Sequence, residues 1–330
     1  MNRMVVLAPN WLGDAVMALP AIEDVRRAYP GARLAVAARP AVAGIFRLVP
    51  AVDEAIEARA EALRGFDAAL LLPNSFRSAW IARRAGVPER WGYAADLRSL
   101  LLTRAVPKGA AAHQVEYYQR LTAALGIPSG PREPRIDVGP TAREEALDLL
   151  AAHGHRRGDT LVVVAPGAAY GTAKQWIPSH AATLMASLGA PPAGGAQRFS
   201  AAIVGSPADA ATARAIRRAL PAGTPVVDLV GRTSLAQLAA VLACADVCVC
   251  NDSGAMHLAA AVGTPIVATF GPTNERATAP RARPGGRAVV LTHDVWCRPC
   301  LLRECPIDHR CMTGLTPGRV EAAVREAVAS

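Results

Sequence analysis

Lys174 stands in the loop PGAAYGTAKQWIP, Pro166 to Pro178, and is one of only two lysines, with Lys108, among 36 basic residues. The loop follows a β-branched run and leads to or near a helix start, where the dipole disfavours a cation. A bound phosphate would account for a lysine there, since lysine offers a compact charge with three rotatable donors and arginine a planar fork. The plainer alternative is a solvated surface lysine. A second stretch, VCVCNDSGAMHL (247–258), ends a buried strand in Asn-Asp-Ser-Gly and starts a helix at once. Free N–H groups and a positive dipole end suit a pyrophosphate, and Gly254 allows close approach. Here the alternative is that Asp252 or Ser253 is an ordinary N-cap. In NWLGDAVMALPAI, Asp14 follows Gly13 at a helix start, as a first-turn acid or as a general base. In PNSFRS (73–78), Asn74, Ser75 and Arg77 end a strand and could hydrogen-bond a sugar or phosphate.

The tail CRPCLLRECPIDHRC holds Cys297, Cys300, Cys305, His309 and Cys311 in a C-x2-C-x4-C-x5-C spacing. The first pair has zinc-ligand spacing, so a structural tetrahedral site is one reading. Reduced cysteines packing an irregular loop are the other. Cys244, Cys248 and Cys250 lie in or beside the apolar run ADVCVC and read as small buried hydrophobes.

The elements that must position these loops come twice. Residues 4–31, MVVLAPNWLGDAVMALPAIEDVRRAYPG, and 161–189, LVVVAPGAAYGTAKQWIPSHAATLMASLG, each give strand, Ala-Pro, polar Gly-bearing loop and helix. Further apolar strands follow at 33–39, 68–74, 200–206, 247–254, 265–271 and 288–292. Such alternation predicts an α/β protein with two Rossmann-like parallel-sheet domains. Ligands of these sheets bind beyond the carboxyl ends of the strands, so the two domains are expected to face a central cleft. The Pro/Gly-rich segment 126–141 marks the boundary. With the helix after it, the first domain is counted as 1–150 and the second as 151–315. Thr316-Pro317 then opens a C-terminal helix, 316–330.

The net charge of +9 divides as +5 in residues 1–157 and +4 in 158–330, with no run of five like charges. That argues against a nucleic-acid arm and for an anionic substrate or membrane surface. MNRMVVLAP lacks the cleavage site of a secretory signal, and the uncharged stretch 253–274 is broken by Gly263-Thr264-Pro265. A cytoplasmic, reduced protein is expected. Neither half carries G-x-G-x-x-G after its first strand, which disfavours a nicotinamide dehydrogenase.

Taken in order, WLGD, PNSFRSA, PGAAYGTAKQWI and NDSGAMHLAAAVGTPIVATFGPTN resemble the ADP-heptose:lipopolysaccharide heptosyltransferases, glycosyltransferase family 9, over residues 4–327. PNSFRSA and the Ala-Lys-x-Trp loop are most similar to the family's type II branch. The resemblance implies a GT-B fold and an inverting transfer from ADP-heptose to a heptose of the lipopolysaccharide inner core. It implies Asp14 as catalytic base and Lys174 as the charge on the diphosphate, with Gly171 and Thr172 approaching the same phosphates. Asp252, Ser253, Gly254 and Ala255 would bind the nucleotide sugar, with His257 in the same motif. Thr233 and Ser234 would lie against the adenosine, while Asn74, Ser75 and Arg77 fall on the acceptor side. No metal cofactor is implied for catalysis. The partners implied are ADP-heptose, a Kdo-lipid A acceptor and the cytoplasmic surface of the inner membrane, met peripherally. Where some members place a ribose-binding Glu, VGSPADA offers Pro207 and then Asp209. The Cys-rich tail occurs in only part of the family. Type I transfer, a sugar-nucleotide epimerase and a non-catalytic nucleotide-binding module are the rival readings.

Overall fold

The computed structural model describes residues 1–95, 97–189 and 198–329. They form two compact units, Met1–Asp137 and Val138–Ser330. The first is built on strands β1 Arg3–Leu7, β2 Arg33–Ala38, β3 Glu54–Glu57, β4 Ala68–Leu71, β5 Glu89–Tyr93 and β6 Arg104–Val106. The second is built on β7 Thr160–Ala165, β8 Phe199–Ile203, β9 Val227–Asp228, β10 Val247–Asn251, β11 Ile266–Phe270 and β12 Ala288–Thr292. Every pairing is parallel, in the orders β3-β2-β1-β4-β5-β6 and β12-β11-β10-β7-β8-β9. Read from its own first strand, each sheet has the same doubly wound order.

The central strands are the apolar runs legible in the sequence, and they are buried. Val5, Ala35 and Ala69 line one core, and Val162, Val249 and Val267 another. Strands β3, β5, β6 and β9 have no such signature. All carry Glu, Arg or Asp; β3, β6 and β9 are short strands at sheet edges, while β5 is paired on both sides, between β4 and β6. In the first unit, buried Asp24 accepts from Gln119 Nε2 at 3.0 Å and Gly130 N at 2.9 Å, which ties the Pro/Gly-rich segment to the helices.

Two boundaries differ from those expected. The helix Pro140–Ala152 belongs to the second unit, so the first ends at Asp137 and not at 150. Its Arg143 guanidinium donates to Ala243 O, and Cys244 Sγ donates to Arg143 O at 3.5 Å, so its partner is the helix Leu235–Cys244. The C-terminal helix, Pro317–Val328, is part of the same core. Val320, Ala323, Val324 and Ala327 are buried with Leu184, Met185 and Leu188 of the helix Pro178–Gly189. Ser330, the last residue of the expected helix, lies outside the described residues. No helix among the described residues is long and apolar enough to cross a membrane.

Candidate active site

Each sheet reverses its strand order once, between β1 and β4 and between β7 and β10. Loops leaving neighbouring strands at such a point diverge to opposite faces and open a crevice. Asp14, Asn74, Lys174 and Asp252 sit on those loops, whereas Thr233 and Ser234 follow β9.

At the second reversal, the loop after β7 carries Lys174 and the turn after β10 carries Asp252. Lys174 Nζ donates to Asp252 Oδ2 at 2.6 Å, with the two side chains 14% and 5% exposed. Lys174 does not stand at a helix start. It ends a 3-10 turn, Thr172–Lys174, and the helix begins at Pro178. The cation is held by a carboxylate and stands clear of the start of the helix that follows it at Pro178. Asp252 also accepts from Thr273 Oγ1 at 2.7 Å and Thr278 Oγ1 at 3.4 Å. It is not an N-cap. Ser253 holds the N-cap position of the helix Gly254–Val262, but its side chain makes no capping bond, and its buried Oγ has no partner among the described residues. The first-turn N–H groups from Gly254 and Ala255 onward are thus uncovered by a side-chain cap. His257 is buried within that helix.

Asn251, which the sequence reading passed over, fastens the two loops. Its Oδ1 accepts from Trp176 N and Thr269 Oγ1, both at 3.0 Å, and its Nδ2 donates to Pro166 O at 2.7 Å. The signal was present in NDSG: a lone Asn ending a fully apolar strand must find partners for a buried amide. Gly171 and Thr172 lie on the same loop, Thr172 exposed. Thr233 is half-buried, and Ser234 is occupied otherwise. Ser234 forms a capping box with Gln237, accepting from Gln237 N at 3.2 Å while Gln237 Oε1 accepts from Ser234 N at 2.9 Å. Its side chain is committed to the helix Leu235–Cys244. The Asp209 carboxylate accepts from Ser206 N and Oγ, both at 2.8 Å, and lies where a Cβ on Gly167 would stand.

At the first reversal, Asp14 occupies the first turn of the helix Leu12–Met17, after β1. Its charge lies near Tyr118, whose phenol is pushed well above its usual value by burial first and by Asp14 next. Asn74 and Ser75 follow β4. Asn74 Nδ2 donates to Tyr117 Oη at 2.7 Å, while Ser75 caps the helix Phe76–Arg84 by accepting from Ser78 N at 3.3 Å. Ser75 is thus a capping residue before it is a sugar ligand. Arg77 is exposed and lines a cavity of about 280 Å³ with Asn10, Arg39, Arg59 and Ser75. Arg98, fully buried, shapes this loop by donating to Tyr93 O at 2.9 Å, to Ser78 Oγ at 3.0 Å and to Pro73 O. No sequence pattern marks Arg98, Arg39 or Arg59.

Among the described residues no three His, Cys, Asp or Glu side chains are grouped to hold a metal. The thiols share a neighbourhood, since burial and then Cys297, Cys305 and Cys300 push the Cys311 thiol up. Cys311 is buried, however, while Cys300 and Cys305 are exposed, and the His309 ring is drawn away to Ala173 O.

Residues 58–310 match the profile of glycosyltransferase family 9 (heptosyltransferase). The chain is 30% identical over 305 residues to lipopolysaccharide heptosyltransferase 2 of Salmonella typhimurium, covering 84% of this chain and 85% of that one. It is 29% identical over 302 residues to lipooligosaccharide heptosyltransferase 2 of Haemophilus influenzae, covering 84% and 86%. The solved structure of Escherichia coli ADP-heptose LPS heptosyltransferase II superposes with a TM-score of 0.85 at 27% identity, over 100% of this chain and 99% of that one. With its two Rossmann-like sheets and its Lys174–Asp252 pair at a strand reversal, the chain belongs to glycosyltransferase family 9.

Proposed function

We propose that the protein is an inverting heptosyltransferase of type II, moving heptose from ADP-heptose to a heptose of the lipopolysaccharide inner core. The Lys174–Asp252 pair carries this reading, because it fixes a lysine beside an uncapped helix N-terminus where a diphosphate would be bound. The acceptor hydroxyl oxygen bonds to the anomeric carbon of the donor as the bond from that carbon to the β-phosphate oxygen breaks. Asp14 takes the hydroxyl proton, help that contributes about 10²–10⁴-fold. ADP leaves with its added charge held by Lys174 and the first-turn amides of the helix Gly254–Val262. These groups supply the charge stabilisation, so the step as proposed invokes no metal.

ADP release from ADP-heptose, with and without a mono-heptosylated Kdo-lipid A acceptor, tests this. Acceptor-dependent release that Asp14→Asn reduces at least a hundredfold is expected. Release with the non-heptosylated acceptor instead would move the chain to type I transfer, and release with neither would sink the transferase reading.

We further propose that the protein works against an anionic membrane, where a lipid-anchored acceptor resides. Phe76 and Trp80 stack on the exposed side of the helix Phe76–Arg84, beside Arg77, Arg83 and Arg84. The adjoining turn leaves Leu97 and Leu100 89% and 92% exposed. Apolar tips among arginines suit the interface of an anionic bilayer.

A further inference from the structure

The segment Leu301–His309, between β12 and the C-terminal helix, closes over the loop that carries Lys174. Tyr170 Oη donates to Leu301 O at 2.7 Å, and Ala173 N donates to Arg303 O at 2.9 Å. His309 Nε2 donates to Ala173 O at 2.7 Å. Both backbone groups of Ala173 are therefore taken by this segment, and its carbonyl belongs to the peptide unit that carries the Lys174 amide. The Arg303 guanidinium lies 5.4 Å from the Tyr170 ring centre, and Lys174 Nζ lies 4.8 Å from the same ring. The approach is close enough that a Cβ on Gly171 would overlap the Arg303 carbonyl. At its other end the segment is tied to the Asp252 side of the site. Leu301 N donates to Pro272 O at 2.9 Å, next to Thr273, whose hydroxyl donates to Asp252. By contrast, the loop's own backbone bonds are few, namely Gly171 N to Ala168 O, Lys174 N to Gly171 O and Gln175 N to Thr172 O.

We propose that Leu301–His309 is a strap that positions Lys174, with His309 as its positioning residue. The strap holds the peptide preceding Lys174 in one plane, so the ammonium meets the diphosphate without the loop having to order first. This rests on the reading of Lys174 as the diphosphate's counter-charge.

The test is a double-mutant cycle between His309 and Lys174, read as kcat and KM for ADP-heptose. His309 has φ +57°, a left-handed conformation that asparagine tolerates. H309N therefore keeps the backbone but cannot reach Ala173 O, whereas H309Q restores an N–H donor at similar reach. H309N is expected to lower kcat/KM about tenfold, the worth of one partly buried hydrogen bond, with a modest fall in its urea midpoint that does not depend on Lys174. H309Q is expected to recover part of that loss, its restored donor offset by the strain of glutamine at that φ. In a Lys174→Ala background H309N should add almost nothing, because the group it positions is gone. Full multiplicative loss in that background, or no loss from H309N alone, would overturn the strap while leaving Lys174's role intact. A Lys174→Ala enzyme with normal turnover would overturn the reading of Lys174, and the strap's purpose with it. Should H309N fail to fold, Tyr170→Phe, which deletes only the hydroxyl bond to Leu301 O, carries the same cycle.

Discussion

Lys174 and Asp252 are each visible in the sequence, but their pairing is not, because 78 residues separate them. A lysine in a Gly/Thr loop and an Asp before a helix each allow a bland reading, and it is contact that removes it. The pair also limits substitution. Lys174→Arg puts a planar fork where one ammonium meets Asp252 Oδ2 and, in the proposed function, a phosphate as well. Lys174→Ala leaves the Asp252 carboxylate with the Thr273 and Thr278 hydroxyls alone. Both variants are expected to lose about 10²–10³ in kcat, the usual worth of a transition-state charge contact. Steady-state turnover of ADP-heptose checks this, and full activity in Lys174→Arg would show that charge alone suffices. Ser75 and Ser234 show the opposite legibility. Ser234-x-x-Gln237 spells a capping box, so its helix-capping use was open to reading, yet the family motif drew attention to a ligand role.

At the scale of elements, the apolar strands and the helices after them were readable because burial on both faces imposes a continuous hydrophobic run. Strands β3, β5, β6 and β9 were not, since they lack a continuous apolar run and their pairing is decided by the neighbouring strand. The joint between elements depends on Asn251. Asn251→Ala strands the Trp176 amide and the Pro166 carbonyl, at about 1–3 kcal/mol for each buried group left unpaired. A lower urea midpoint with weaker ADP binding is expected, and unchanged ADP affinity would free the loop from this anchor. In the first unit, Tyr93 Oη donates to Tyr117 O at 2.7 Å, and the Tyr117 hydroxyl in turn accepts from Asn74. Burial and then Tyr117 push the Tyr93 phenol from 10.0 up to about 12. The folded state therefore keeps a proton that the unfolded chain loses first. Its stabilisation is complete below pH 10 and declines as pH rises toward 12. A melting temperature falling more steeply over that window in wild type than in Tyr93→Phe is the expected signature, and parallel curves would refute it.

Over the whole molecule, one sheet order is used twice, and the same rule locates Asp14 and Asn74 in one unit and Lys174 and Asp252 in the other. The repeat was legible as strand–Ala-Pro–loop–helix. The unit boundary was legible only to within the segment 126–141, because nothing in a polar helix reveals which core its apolar side will join. Net charge is a property of this scale too. Binding to vesicles with an anionic fraction is expected to weaken severalfold in a Trp80→Ala, Leu100→Ala variant whose turnover on a detergent-solubilised acceptor is retained. Equal vesicle affinity in the two proteins would place the membrane contact elsewhere or remove it.

The strap and the C-terminal helix both lie at the far end of the chain, and this sets an order on synthesis. A chain emerging N-terminus first can finish its first unit once residue 137 is out. Lys174 emerges soon after, yet the carbonyl before it waits for His309, and the helix Pro178–Gly189 waits for Val320 to Ala327 to complete its core. The surroundings of Lys174 are therefore completed only after His309 and the helix Pro317–Val328 have emerged. Chains stopped short of about residue 310 would carry a folded first unit and every residue proposed for the chemical step, but not the geometry that aims the lysine.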